Sequence, residues 1–62
     1  MKVTAETITD EQILRLLADS TLAEKSWCLA GMRVANTPAQ KRQRMKARSR
    51  CATMWNARHG GD

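Results

Sequence analysis

The sequence contains no phenylalanine and no tyrosine; its aromatics are Trp27 and Trp55 alone. With so few aromatics, and apolar residues drawn mainly from Leu, Ile, Met and Ala, the composition favours helix over strand. Proline occurs once and histidine once, which leaves little for a loop-rich or imidazole-based site. The longest stretch without a polar side chain, Trp27 to Met32, is far too short to cross a bilayer. Residues 1–7 form no apolar leader core, so no secretory signal is expected. Two cysteines, Cys28 and Cys51, in a chain of cytosolic character read as buried or half-buried thiols. Sixty-two residues make one domain and bury only roughly 60% of the unfolded chain's surface. That excludes most enzyme folds that wrap a substrate in two layers.

What the second half lacks is acid. Between Glu24 and Asp62 no Asp or Glu occurs. Residues 1–24 hold Lys2 and Arg15 against Glu6, Asp10, Glu11, Asp19 and Glu24, a net charge of −3. Residues 25–37 add Lys25 and Arg33. Residues 38–62 hold Lys41, Arg42, Arg44, Lys46, Arg48, Arg50 and Arg58 against Asp62 alone, a net of +6. The chain is a dipole along its sequence, and the natural partner of its second half is a polyanion or an acidic protein surface.

Three helix starts are written in the same chemistry. Thr9 with Gln12, Thr21 with Glu24 and Thr37 with Gln40 stand at capping-box spacing. Ile8 and Ile13 flank the first box as a hydrophobic staple, and Asp10 and Glu11 oppose the positive pole of the helix. Pro38 suits the first position of the third helix, Asn36 suits the turn before it, and Gly60 suits a left-handed stop. The pattern predicts an all-α, compact three-helix bundle in a single domain, residues 1–62. Its parts are an arm over 1–7, helices over 8–19, 21–35 and 38–58, and a tail over 59–62. The middle helix is apolar on most faces, with one stripe of Ala23, Trp27, Ala30 and Val34 and another of Cys28, Met32 and Ala35. Such a helix is expected to be buried between the other two or against a second copy, making a homodimer. Gly31 would admit a neighbouring backbone at close range.

No catalytic constellation emerges, and the expectation is a protein that is not an enzyme. Cys51 and His59 are eight residues apart on one helix, about 12 Å along its axis, too far for a nucleophile and its base. Cys28, Cys51 and His59 fall one ligand short of a zinc site, so no metal and no cofactor is expected. The third helix is the informative feature. Lys41, Arg44 and Arg48 line one strip, and Arg42, Lys46 and Arg50 a second, with an apolar seam of Ala47, Cys51 and Met54 between and Trp55 on its border. The expected binding residues are these six cations with Lys25 and Arg33. Arginine forks pair with phosphate, guanine or carboxylate. The basic helix can enter nucleic acid, with Gln40 and Gln43 reading adenine, or dock on an acidic protein surface. Trp55 is expected in the core, while Trp27 is either core or exposed and free to bind.

Ile8-Thr9-Asp10-Glu11-Gln12-Ile13, and Arg50-Cys51-Ala52 followed by Trp55-Asn56-Ala57-Arg58-His59-Gly60, resemble small proteins carried by bacterial phages and other mobile elements. Accessory proteins of that kind include anti-CRISPR inhibitors. The resemblance implies a small inhibitor in the cytoplasm of a bacterial host. It would act by binding a protein or ribonucleoprotein complex that handles nucleic acid. The alternative is a small helical regulator that binds DNA or RNA through the same basic face.

Overall fold

The computed structural model describes residues 2–60 and consists of three helices, α1 (Asp10–Ala18), α2 (Leu22–Met32) and α3 (Pro38–His59). All three capping boxes form: each threonine side chain accepts from the backbone of the residue three ahead, and that residue's side chain accepts from the threonine's N–H. α3 starts with Pro38 in its first turn and stops at Gly60, whose φ of 69° is the left-handed conformation that glycine adopts without a Cβ penalty. The last turn therefore reaches His59. The tail expected over 59–62 lies, for Gly61 and Asp62, outside the described residues.

α2 is shorter than the apolar pattern suggested. It ends at Met32, and Arg33 is already extended with ψ at 144°. Two constraints stop it. The carbonyl of Gly31, one of the unpaired acceptors in the last turn, is taken by the Arg48 guanidinium at 3.3 Å. Five residues, 33–37, are then needed to reverse the chain into α3, with Thr37 held extended before Pro38. Val34 and Ala35 belong to this loop.

The core is small and sits where the three helices meet. Ile8, Ile13, Leu16, Cys28, Cys51 and Ala52 are buried together, with Val3, Leu17, Met32, Met54 and Trp55 packed around them. The staple pair Ile8 and Ile13 is fully inside, at 1% and 0% exposure. Most of the packing is α2 against α3 and α1 against α2, with α1 touching α3 least. The N-terminal arm compensates for that weak third contact. Its backbone at Val3 donates to Asn56 Oδ1 (3.0 Å), and the Asn56 amide donates back to the Val3 carbonyl (2.9 Å). After a turn at residues 5–7, the Thr4 carbonyl accepts from Ile8 N at 2.9 Å. The arm is thus tied along the side of α3 rather than left loose.

A basic helix with an inner and an outer strip

The two cationic strips of α3 have opposite fates. Arg42, Lys46 and Arg50 are exposed, and their four-residue spacing puts them on one ridge of the helix. On the other strip Lys41 is exposed, Arg44 is half-buried, and Arg48 is buried with 9% of its surface accessible. The expectation that Arg48 belongs to the binding face is corrected: it is a core residue. Its Nε donates to the Ala5 carbonyl (3.0 Å) and its Nη1 to Gly31 O (3.3 Å) and Asp10 Oδ1 (3.2 Å). Its Nη2 donates to the carbonyl of Ile8. Four acceptors from the arm, α1 and α2 therefore converge on one guanidinium. A buried charge persists only when paired and hydrogen-bonded in this way.

The burial of Arg48 depends on Gly31. A Cβ at that glycine would lie 3.3 Å from Arg48 Cγ and 3.6 Å from both Arg48 N and Ile13 Cδ1. The close approach of α2 and α3 expected at Gly31 is present, and a long side chain, not only backbone, uses the space.

Lys25 and Arg33, the other two expected contributors, are both exposed. Gln40 is not free to read a base through its carbonyl oxygen. Its Oε1 accepts from both Asn36 N (2.9 Å) and Thr37 N (3.2 Å) in the cap of α3. Arg58 is also occupied, donating to Asp19 O and Glu24 Oε1, each at 3.0 Å. The Thr21 backbone N–H, aided by Arg58, holds the Glu24 carboxyl below its ordinary pKa.

Of the two burials expected for the apolar face of α2, the one between the other two helices is met only in part. Cys28 and Gly31 are buried, but Trp27 and Ala30 are only half-buried, and Leu22, Ala23, Leu29 and Val34 are exposed. Ala23 and Trp27 line a hollow of about 470 Å³ together with Glu24, Arg50, Thr53 and Met54. One turn further, Ala30 and Val34 line a smaller one of about 100 Å³ with Arg33, Ala35, Gln40, Gln43 and Arg44. The stripe is therefore the floor of a furrow between α2 and α3. Over the first hollow the Arg50 guanidinium lies 4.3 Å from the centre of the Trp27 ring, a cation–π contact. In the second, Arg44 Nε is buried and has no acceptor among the described residues. Trp55, by contrast, packs against the core and stacks on the His59 ring at 3.8 Å between centroids.

The two cysteines are unpaired thiols, both buried. Burial, reinforced by neighbouring Cys28, pushes the Cys51 thiol up to about 12, so it stays protonated at neutral pH and is no nucleophile. Among the described residues no three His, Cys, Asp or Glu side chains gather where they could hold a metal ion, and no helix is long and apolar enough to cross a membrane. Sequence reasoning missed the furrow because Trp27 and Val34 share a helix face with core-like spacing. The signal that could have revealed it is that the same face meets Arg50 and Arg44 rather than α1. Neither a family model, nor a curated protein, nor a solved structure matches this chain.

Proposed function

We propose that this protein acts by binding rather than catalysis, docking the outer strip of α3 on a nucleic-acid-handling complex of a bacterial host. On that reading it is a stoichiometric inhibitor of the anti-CRISPR type, carried by a phage or other mobile element. The observation that supports it is the exposed ridge of Arg42, Lys46 and Arg50 on a helix whose sequence contains no acid. Arg42 and Arg50 offer planar forks for phosphate or carboxylate, and Lys46 a flexible point charge between them. Lys41, Arg44, Lys25 and Arg33 extend the positive field around the ridge. Arg48 supports the ridge from inside and takes no direct part.

A second reading, direct binding of DNA or RNA as a small regulator, is favoured by one further observation. Arg50 belongs both to the ridge and to the hollow over Trp27, so charge and an aromatic face adjoin. The triple charge reversal Arg42→Glu, Lys46→Glu, Arg50→Glu tests both. The variant should keep its helical circular dichroism while losing inhibition of a purified RNA-guided nuclease complex, and losing binding to random duplex DNA and single-stranded RNA. Wild-type affinity for nucleic acid should fall steeply between about 50 and 200 mM salt if phosphates are engaged. Full activity in the reversed variant would refute the ridge as the binding face.

A further inference from the structure

The furrow between α2 and α3 brings together two features that the ridge alone does not explain. Trp27 is half-buried on α2, and the Arg50 guanidinium lies over its ring at 4.3 Å from the centre. Beside that pair a hollow of about 470 Å³ stands open, floored by Ala23 and Met54. Arg44, six residues before Arg50 and so about 9 Å along the helix, lines the second hollow with Arg33 and Gln43, and its buried Nε has no acceptor among the described residues. Among the described residues Glu24 is the sole acid lining either hollow, and its Oε1 is already held by Arg58 and the Thr21 N–H.

We infer that this furrow takes a segment of single-stranded nucleic acid, with one base stacked on Trp27 and the adjoining phosphates on Arg50, Lys46 and Arg44. The inference rests on the reading that the outer strip of α3 meets a polyanion, and it narrows that polyanion to one class. Charge alone would suit an acidic protein, a duplex or a single strand equally. A tryptophan in a cationic furrow distinguishes among them, because only an unpaired base offers a free aromatic face beside a phosphate. Stacking on aromatics is the usual source of affinity in sequence-tolerant single-strand binding. As the base enters, Arg50 leaves the ring for the neighbouring phosphate, exchanging a cation–π contact for a charge-assisted hydrogen bond. Gln43 has amide groups free to meet the edge of a second base in the smaller hollow.

The test compares charge with stacking on the same backbone. Fluorescence anisotropy would follow a labelled oligo(dT) of about twelve nucleotides, within the usual site size of such proteins, an abasic oligomer of equal length, and a duplex. Wild-type protein should bind the oligo(dT) about tenfold more tightly than the abasic strand, as the loss of one stacked base implies. Trp27→Leu, which keeps apolar volume, should erase that tenfold difference and leave the salt slope unchanged. Lys46→Ala should keep the difference and reduce the single-strand slope by about 0.7. Equal wild-type affinity for oligo(dT) and abasic strand would overturn the inference, while salt-dependent binding of both would leave the ridge's role standing. Preference for the duplex, or no binding of any oligomer alongside inhibition of the host complex, would likewise overturn it. If Trp27→Leu loses its helical circular dichroism, the wild-type comparison of base-bearing with abasic strand decides the matter by itself.

Discussion

Arg48 and Lys46 stand two residues apart on one helix, yet the fold needs one and ignores the other. The Lys46 ammonium is solvated on the outer ridge, where removing a charge is normally worth no more than about 0.5 kcal/mol of stability. The Arg48 guanidinium is the place where the arm, α1 and α2 are joined to α3, through Ala5, Ile8, Asp10 and Gly31. The same side-chain chemistry thus serves cohesion on the inner strip and is left for partners on the outer one. In so small a protein, hydrophobic area is limited; one buried fork with four acceptors fixes how three segments meet, which a methyl group could not do. The lesson is that the cationic count of α3 overstates its binding surface by two residues, Arg48 and Arg58, and understates how the bundle is held.

The comparison breaks most visibly at Arg48 itself. Arg48→Ala leaves three carbonyls without their donor and Asp10 without its partner. Asp10 is largely solvated, so the loss comes from the buried carbonyls of Ile8 and Gly31 left without a donor, at about 1–3 kcal/mol each, a large share of the stability of a small domain. Urea unfolding should show that loss beside a near-silent Lys46→Ala. Equal midpoints for the two variants would show that Arg48 is as dispensable as the outer cations. Arg48→Lys should recover only part of the loss, since an ammonium cannot span four acceptors in a plane.

Next in size is the arm. Asn56→Ala removes both bonds to Val3, at about 1 kcal/mol each, and should speed amide exchange of Val3 while α3 stays protected. Because Arg48 still holds Ala5 and Ile8, the arm should loosen from its start and not along its whole length. Unchanged exchange at Val3 would mean that the arm is fixed by Arg48 alone.

How much of this was legible in the sequence depends on where each partner lies. The three capping boxes are local: a threonine and an acceptor three residues on, and all three formed as read. So were Ile8 with Ile13, the Pro38 start and the Gly60 stop. Arg48 was not legible, because its acceptors are mostly backbone carbonyls, which carry no side-chain signature. They lie 43, 40 and 17 residues away. Its helical position gave a hint, with Ala47, Cys51 and Ala52 around it and Gly31 opposite, but its charge argued for solvent. The end of α2 was missed for a related reason: Val34 and Ala35 continue the apolar pattern, and only the need to reverse the chain before Pro38 stops the helix. Trp27 could be core or exposed on the sequence alone, and it is half-buried because α1 and α3 together leave one side of α2 uncovered.

Gly31 sharpens the contrast further. Gly31 stands in the last turn of α2, where replacing glycine by alanine gains less than the ~1 kcal/mol of a helix interior. Here the added Cβ would press on Arg48 Cγ at 3.3 Å, and Arg48 cannot yield without losing acceptors. Overpacking costs typically 1–3 kcal/mol, so Gly31→Ala should come out destabilising by about 1 kcal/mol. In an Arg48→Ala background the same substitution should turn neutral or favourable, since the obstructing side chain is gone. A double-mutant cycle that came out additive would show that the two residues do not share the space.

The smallest effect concerns the Arg58–Glu24 ion pair, which closes the far end of α3 on α2. The Glu24 carboxyl lies below its ordinary value of about 4.5, first because the Thr21 backbone N–H donates to it and then because Arg58 stands beside it; partial burial opposes both. A carboxyl whose folded pKa is depressed stabilises the fold fully above the unfolded value, and that contribution fades as pH falls through the folded one. The wild-type melting temperature should therefore drop between pH 5 and lower values by more than that of Glu24→Gln, which has no charge to lose. At pH 7 wild type should be the more stable of the two, and the gap should narrow as pH falls. The outer strip holds no carboxyl, so the acid sensitivity of the fold should be unchanged in Lys46→Ala. Parallel acid profiles for wild type and Glu24→Gln would mean that the Arg58 contact is fully screened by solvent, as many exposed pairs are, and that the cap at Thr21 survives protonation of its acceptor.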